Sequence, residues 1–175
     1  MSILGVSRTF SLIFTIKEAA MAVTLSSPIT GGAQTGFSAP TYTQVVDTAP
    51  DVNGRQVSVT ALGGTQVGVT VGSVASPFTV TFVRPKSFKT LAPVVPNTGL
   101  LPSVPKNSWK AIIRKGVTPL AGQPASVMLI KIEVDVPAGA DTADAPNIRA
   151  AMSAAIGALN QISAGFGDTL VSGVL

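Results

Sequence analysis

A twelve-residue run near the carboxyl end, 126–137 (SVMLIKIEVDVP), narrows the fold more than any other stretch. Leu129, Lys131, Glu133 and Asp135 alternate there with Ile130, Ile132, Val134 and Val136. Side chains on a strand point alternately to opposite faces, so the run predicts a strand with one apolar face and one ionic face. Directly after it, Ile148, Met152, Ala155, Ile156, Leu159 and Ile162 recur at helical spacing. This predicts an amphipathic helix over 145–163 whose stripe is core and suits the apolar face of the sheet. The ionic face is left open.

An earlier run, 106–117 (KNSWKAIIRKGV), predicts the neighbouring strand, with 118–124 (TPLAGQP) turning the chain between the two. Further strands are predicted at 41–48, 55–62, 65–71 and 77–84, separated by turn chemistry at 51–54, 63–64 and 72–76. Val57, Val59 and Ala61 alternate with Gln56, Ser58 and Thr60, and Val67, Val69 and Val71 with Gln66, Gly68 and Thr70. Phe78, Val80 and Phe82 alternate with Thr79, Thr81 and Val83. One apolar and one polar face along each strand is the pattern of an antiparallel meander, and with the late helix it makes the fold class α+β.

Four prolines in 87–105 exclude a central strand or helix from that stretch. A loop so long and apolar either packs on a neighbouring subunit or moves. Asp144 is placed to cap the helix, with Pro146 in its first turn and Asp141 adding negative charge near its amino end. Gly165 and Gly167 are expected to end it, with Asp168 capping a short second helix over 169–174.

Residues 1–20 differ from the rest, and 21–175 is expected to be one domain. The apolar stretch 10–16 is short for a signal peptide, and Lys17 and Glu18 follow it at once. Lys17-Glu18-Ala19 can be encoded by a purine-rich ribosome-binding sequence just ahead of Met21. We expect Met21 to be the start and 1–20 to be an upstream leader read in frame. The mass of the native product tests this, and a chain beginning at Met1 contradicts it. Residues 21–40 are rich in Ser, Thr, Gly and Pro and read as an extended arm.

Composition narrows the function. Cysteine and histidine are absent, which removes thiol nucleophiles, disulfides, imidazole bases and the usual zinc and haem ligands. Most of the 8 acidic residues sit in or beside turns, so no enzyme chemistry, metal or cofactor is expected. Phosphate-binding and nucleophile-elbow motifs are missing as well. Glu133 and Asp135 share a face but have Lys131 beside them, which reads as an ionic surface rather than a catalytic pair. Only 11% of residues are charged, where a quarter is usual, and mean hydropathy is +0.47. No apolar run approaches the roughly 20 residues of a membrane helix, so no membrane partner is expected. Such a chain is expected to bury much of its surface against other subunits, or to cover it with Ser, Thr, Gln and Gly, and both fit this composition. The net charge of +4 and a pI near 9.8 favour a polyanionic partner.

Strand parity collects the basic groups. Lys110 and Arg114 share one face of the first late strand, while Trp109, Ala111 and Ile113 take the other, toward the helices. In a chain-order antiparallel sheet, Lys110, Arg114, Lys131, Thr79 and Thr81 all lie on the uncovered face. Cations among hydroxyls suit phosphate contacts, with Thr or Glu available for base edges. Cations that merely keep an exposed sheet soluble give the same pattern.

The order of these pieces carries a resemblance. A meander, then KNSWKAIIRKGV, then LIKIEVDVP leading into PNIRAAMSAAIGALNQI and GDTLVSGVL resembles the coat proteins of single-stranded RNA bacteriophages. It spans residues 42–175 and is most specific in Lys106, Asn107, Trp109 and Lys110, in Val136-Pro137, and in the gapped helix pair; VRPKS (83–87) adds to it. The resemblance implies an amino-terminal hairpin, an antiparallel sheet and two carboxy-terminal helices that cover one sheet face of a dimer partner. It implies homodimers that build an icosahedral shell, a virus-like particle or virion assembled in the bacterial host cytoplasm around single-stranded RNA. A role as translational repressor through an RNA hairpin is implied too. The long loop would then lie at contacts around the symmetry axes. By position, Lys110, Lys131 and Glu133 match RNA-touching places, and Thr79, Thr81 and Arg114 extend the set by parity. The loop is longer than is usual in that family, and 118–124 leaves little room for another strand.

A second reading remains open here, an assembling bacterial surface protein such as a pilus or layer subunit, which low charge and β-rich composition also fit. A small β-rich enzyme is a third, and it lacks His, Cys and gathered acids.

Overall fold

In the computed structural model, which describes residues 23–175, the alternating runs become one six-stranded antiparallel sheet. The strands are Ile29–Thr30 (β1), Ser38–Asp47 (β2), Gly54–Thr65 (β3), Phe78–Val83 (β4), Lys106–Val117 (β5) and Ser126–Pro137 (β6), adjacent in chain order. Three helices follow, Ala140–Ala143 (α1), Ala145–Gln161 (α2) and Ser163–Ser172 (α3). The fold is the expected α+β meander, with β1 and β2 forming the amino-terminal hairpin. The proposed leader, 1–20, lies outside the described residues.

The two late strands occupy the predicted stretches, and their pairing sets the face assignment. Lys110 stands opposite Glu133, Ile112 opposite Lys131, and Arg114 opposite Leu129. The turn between them uses Gly122 at φ +78°, a conformation glycine adopts without steric cost.

The predicted strand over 65–71 does not form. β3 runs on to Thr65, and the chain then leaves the sheet. Because β3 and β4 are hydrogen-bonded neighbours, no free edge stands between them to receive another strand. Val67 is 84% exposed, so its alternation reflects no buried face. Side chains hold the excursion instead. Gln66 Nε2 donates to the carbonyls of Gly63 (2.7 Å) and Thr41 (3.2 Å), and Lys115 Nζ donates to the Thr70 carbonyl at 2.9 Å.

The helical boundaries also differ from expectation. The break falls at Ile162 (φ −91°, ψ 4°), and α3 runs straight through Gly165 and Gly167 to Ser172. Gly167 serves close approach: a Cβ there would collide with the Gln34 side chain of the β1–β2 hairpin. Gln34 Nε2 donates to the Ser163 carbonyl (2.8 Å) and hydroxyl (2.9 Å), and Thr35 Oγ1 donates to Asp168 at 2.8 Å. Asp168 is thus a mid-helix latch rather than a cap. Asp144 does hold the N-cap position, but its carboxylate accepts from Asn147 Nδ2 (2.8 Å) and not from a backbone amide.

Nor does the helix lie on the sheet of its own chain. Neither α2 nor α3 has a buried residue, and Ile156, in the middle of the apolar stripe, is 61% exposed. The expectation that this stripe is core is therefore not met within one subunit. The core of the single chain is thin; Val59 and Ala138 are its buried apolar residues. The edge strand β6 is exposed on both faces over Ser126–Glu133. Among the described residues no helix is long and apolar enough to cross a membrane.

The long connection after β4 is half anchored. Asn107, buried at the start of β5, accepts from the Lys89 amide (2.8 Å) and donates to the Lys89 carbonyl (3.1 Å). Phe88 packs on Trp109 with ring centres 5.9 Å apart. Farther out, a tight turn closed by Val95 N–H to the Leu100 carbonyl (2.8 Å) carries exposed apolar side chains. Trp109, expected to face the helices, meets this loop within the single chain.

Candidate nucleic-acid interface

The predicted residues fall on one face. Thr79 stands opposite Arg114, Thr81 opposite Ile112, and Ile112 opposite Lys131, while Lys110 faces Glu133. Directly opposed side chains share a face in an antiparallel pair, so Thr79, Thr81, Lys110, Arg114, Lys131 and Glu133 form one surface across β4, β5 and β6.

Their accessibility divides them. Lys110, Lys131 and Glu133 are exposed and Arg114 is partly so, whereas Thr81 is 1% and Thr79 8% exposed. The two threonines lie beneath the charged layer. Thr81 Oγ1 accepts from Arg114 Nη1 at 3.0 Å and donates to Gln56 Oε1 at 2.8 Å. Gln56 Nε2 donates in turn to Asp47 at 2.7 Å. A chain of hydrogen bonds therefore runs across β5, β4, β3 and β2 and orients the guanidinium. Each member satisfies the next, from the buried Thr81 hydroxyl out to the exposed Asp47 carboxylate.

Lys110 Nζ lies 3.1 Å from a Glu133 oxygen, with both side chains about half exposed (49% and 51%). An exposed pair of this kind contributes about 0–1 kcal/mol, so Lys110 can exchange its carboxylate for a phosphate at little cost. Ser108 Oγ and the Asp135 carboxylate are bonded farther along the same two strands. Lys115 belongs to the opposite face. Its Nζ sits 5.0 Å above the Phe78 ring, and burial lowers its pKa.

Parity of the late strands did not reveal Gln56, Asp47 or the cleft beside them. The segment 72–77 borders this cleft of about 730 Å³, which is lined by Val45, Gln56, Ser58, Val74, Thr79 and Arg114 among others. The Thr79 hydroxyl is buried at its wall and has no hydrogen-bond partner among the described residues. The polarity of Gln56 and Ser58 was visible in the sequence. Their place beside Arg114 depends on the register of β3 against β4, which sequence alone does not fix.

No protein-family model matches the sequence, and no curated protein matches it. Among solved structures, the virus-like particle of bacteriophage ESE020 is similar to this chain at 55% sequence identity with a TM-score of 0.86. The match covers 88% of this chain and 100% of that one. Sheet, helices and sequence thus agree over most of the molecule, and the structural role they define is that of a capsid subunit rather than a bacterial surface protein. The chain belongs to the coat proteins of bacteriophages.

Proposed function

We propose that this coat protein forms homodimers that assemble into an icosahedral shell around single-stranded RNA, with the charged sheet face turned to the nucleic acid. The single observation that carries the RNA half is the register that gathers Lys110, Arg114 and Lys131 on one uncovered face, with Arg114 held by Thr81. Lys110, Arg114 and Lys131 meet phosphates. Glu133 is available to an exocyclic amine, and the cleft beside Arg114 has room for a base. Thr79 and Thr81 act from underneath. Use of the same face on an RNA hairpin would give the repressor role.

The dimer half rests on exposure. A twelve-residue edge strand with apolar side chains is a template for pairing unless something covers it. β6 pairing with β6 of a second copy, and α2 lying over that copy's apolar face, would cover both the edge and the stripe that one chain leaves bare. The shell then forms in the host cytoplasm, where its RNA is made.

Lys110→Ala combined with Lys131→Ala tests the RNA assignment. We expect purified particles to lose most of their nucleic acid while dimers persist. An unchanged ratio of absorbance at 260 and 280 nm contradicts it.

A further inference from the structure

We propose that the helical arm α1–α3 is set for dimerisation inside the single chain, by clamps at the two ends of α2, before a second copy arrives. This rests on the dimer half of the proposed function and adds a device that governs its strength.

Packing does not fix the direction of the arm, because no residue of α2 or α3 is buried. α2 has 17 residues, which makes it roughly 25 Å long. A swing of about 20° at one end would carry the other end roughly 9 Å, about the spacing of two packed helices. An unclamped stripe would miss its target.

The first clamp holds the amino end. The Ala138 amide donates to the Pro105 carbonyl at 2.8 Å, and Ala138 is buried. Gly139 follows in the left-handed region (φ +82°), and a Cβ there would collide with the Leu91 side chain. Leu91 and Pro105 lie near the two ends of the long loop, so the loop grips the junction from which the helices start. α1 passes this hold to α2. The Asp144 amide donates to the Ala140 carbonyl at 2.8 Å, and Asn147 Nδ2 donates to the Asp144 carboxylate at 2.8 Å.

The second clamp holds the carboxyl end. Gln34 donates to the carbonyl and hydroxyl of Ser163, the first residue of α3, and Thr35 donates to Asp168 farther along it. The hairpin tip that carries them is ordered by Gly31 N–H to the Pro40 carbonyl (2.8 Å) and Phe37 N–H to the Gln34 carbonyl (3.1 Å). Gly32 comes so close that a Cβ there would stand 3.1 Å from the Ser163 Cβ. Hydrogen bonds continue across the break at Ile162, from its N–H to the Ala158 carbonyl (3.1 Å) and from the Phe166 N–H to its own carbonyl (2.7 Å). A hold on α3 is therefore a hold on α2.

Polar bonds at both ends of a helix that buries nothing serve orientation rather than a core. An arm already set loses little freedom when its stripe meets a second copy, and apparent affinity follows the fraction of time it is set.

The test uses the full-length chain carrying Gly32→Cys with Ser163→Cys. No other cysteine is present, so oxidation and reduction act on this pair alone. A Cβ separation of 3.1 Å is a few tenths below the disulfide range of about 3.5–4.5 Å, and a small shift makes up the difference. Sedimentation across a dilution series gives the dimer Kd of both forms, while circular dichroism reports the fold of the dissociated chains. We expect the disulfide to form within one chain and reduction to raise the Kd. Gln34→Ala with Thr35→Ala, and separately Leu91→Ala, each open one clamp. An arm then set for about a tenth of the time gives a Kd about tenfold above wild type. Equal Kd values in the two redox forms, a wild-type Kd in either of the other variants, or a disulfide that forms between chains or not at all overturns the clamps and leaves the dimer reading standing. A tighter dimer on reduction also overturns them, since the arm would then have to be released before pairing. Dissociated chains that are unfolded overturn an arm set beforehand. A wild type that is monomeric at every concentration overturns the dimer reading itself.

Discussion

Arg114 and Thr81 sit on adjacent strands, and the guanidinium donates to a hydroxyl that is 1% exposed and itself bonded to Gln56. Thr81 thus orients Arg114 without being within reach of a ligand. Thr81→Val keeps the shape and removes both bonds. We expect RNA affinity to fall about threefold to tenfold, the worth of one ordinary hydrogen bond, and stability to fall by about 1–3 kcal/mol as Gln56 loses its partner. Anisotropy and denaturant unfolding measure the two. Wild-type affinity in a destabilised protein would mean that Arg114 needs no support.

The exposed stripe of α2 separates a subunit effect from an interface effect. Ile156 is 61% exposed in the single chain, so Ile156→Asp places a charge there without burying it within the subunit. If a second copy covers the stripe, the same charge is buried without a partner, at a cost of several kcal/mol. We expect light scattering to show no soluble dimer. A dimer of normal mass would show that the stripe faces something else.

Asp51 gives a prediction in acid. Its pKa lies below the ordinary 3.8, chiefly through the Asn53 backbone amide, then the Asn53 side chain, with a smaller contribution from Lys86. A carboxylate whose folded pKa is depressed adds stability above the unfolded value and loses it as pH falls through the folded one. The stability difference between wild type and Asp51→Ala should be constant from neutrality down to about pH 4 and shrink below it. Urea unfolding at several pH values measures this. A difference that stays constant to pH 3 contradicts the assignment.

The late strands were legible because their periodicity is long and unbroken. Parity in 106–117 and 126–137 placed Lys110, Arg114, Lys131 and Glu133 on one face, and the pairing of β5 with β6 agrees. The stretch 65–71 misled because alternation shows that a segment can be a strand, and only the topology shows whether an edge is free to receive it. The glycines of α3 misled in a related way. Gly167 reads as a helix terminator, yet its lack of a side chain accommodates Gln34, more than a hundred residues earlier. Thr79 and Thr81 were placed on the correct face, but their burial under Arg114 and its neighbours is a packing result that no pattern of two displays. Asn107 lies inside the 106–117 strand pattern, but its grip on Lys89 joins positions 18 apart in the chain across the loop.

We propose that this chain alone closes into an RNA-filled shell. Negative-stain microscopy of the protein expressed by itself in a bacterium, together with the ratio of absorbance at 260 and 280 nm, tests it most directly. We expect closed particles with a spectrum dominated by nucleic acid. Closed particles with a protein spectrum would contradict RNA packaging, and filaments or monomers would contradict the shell itself.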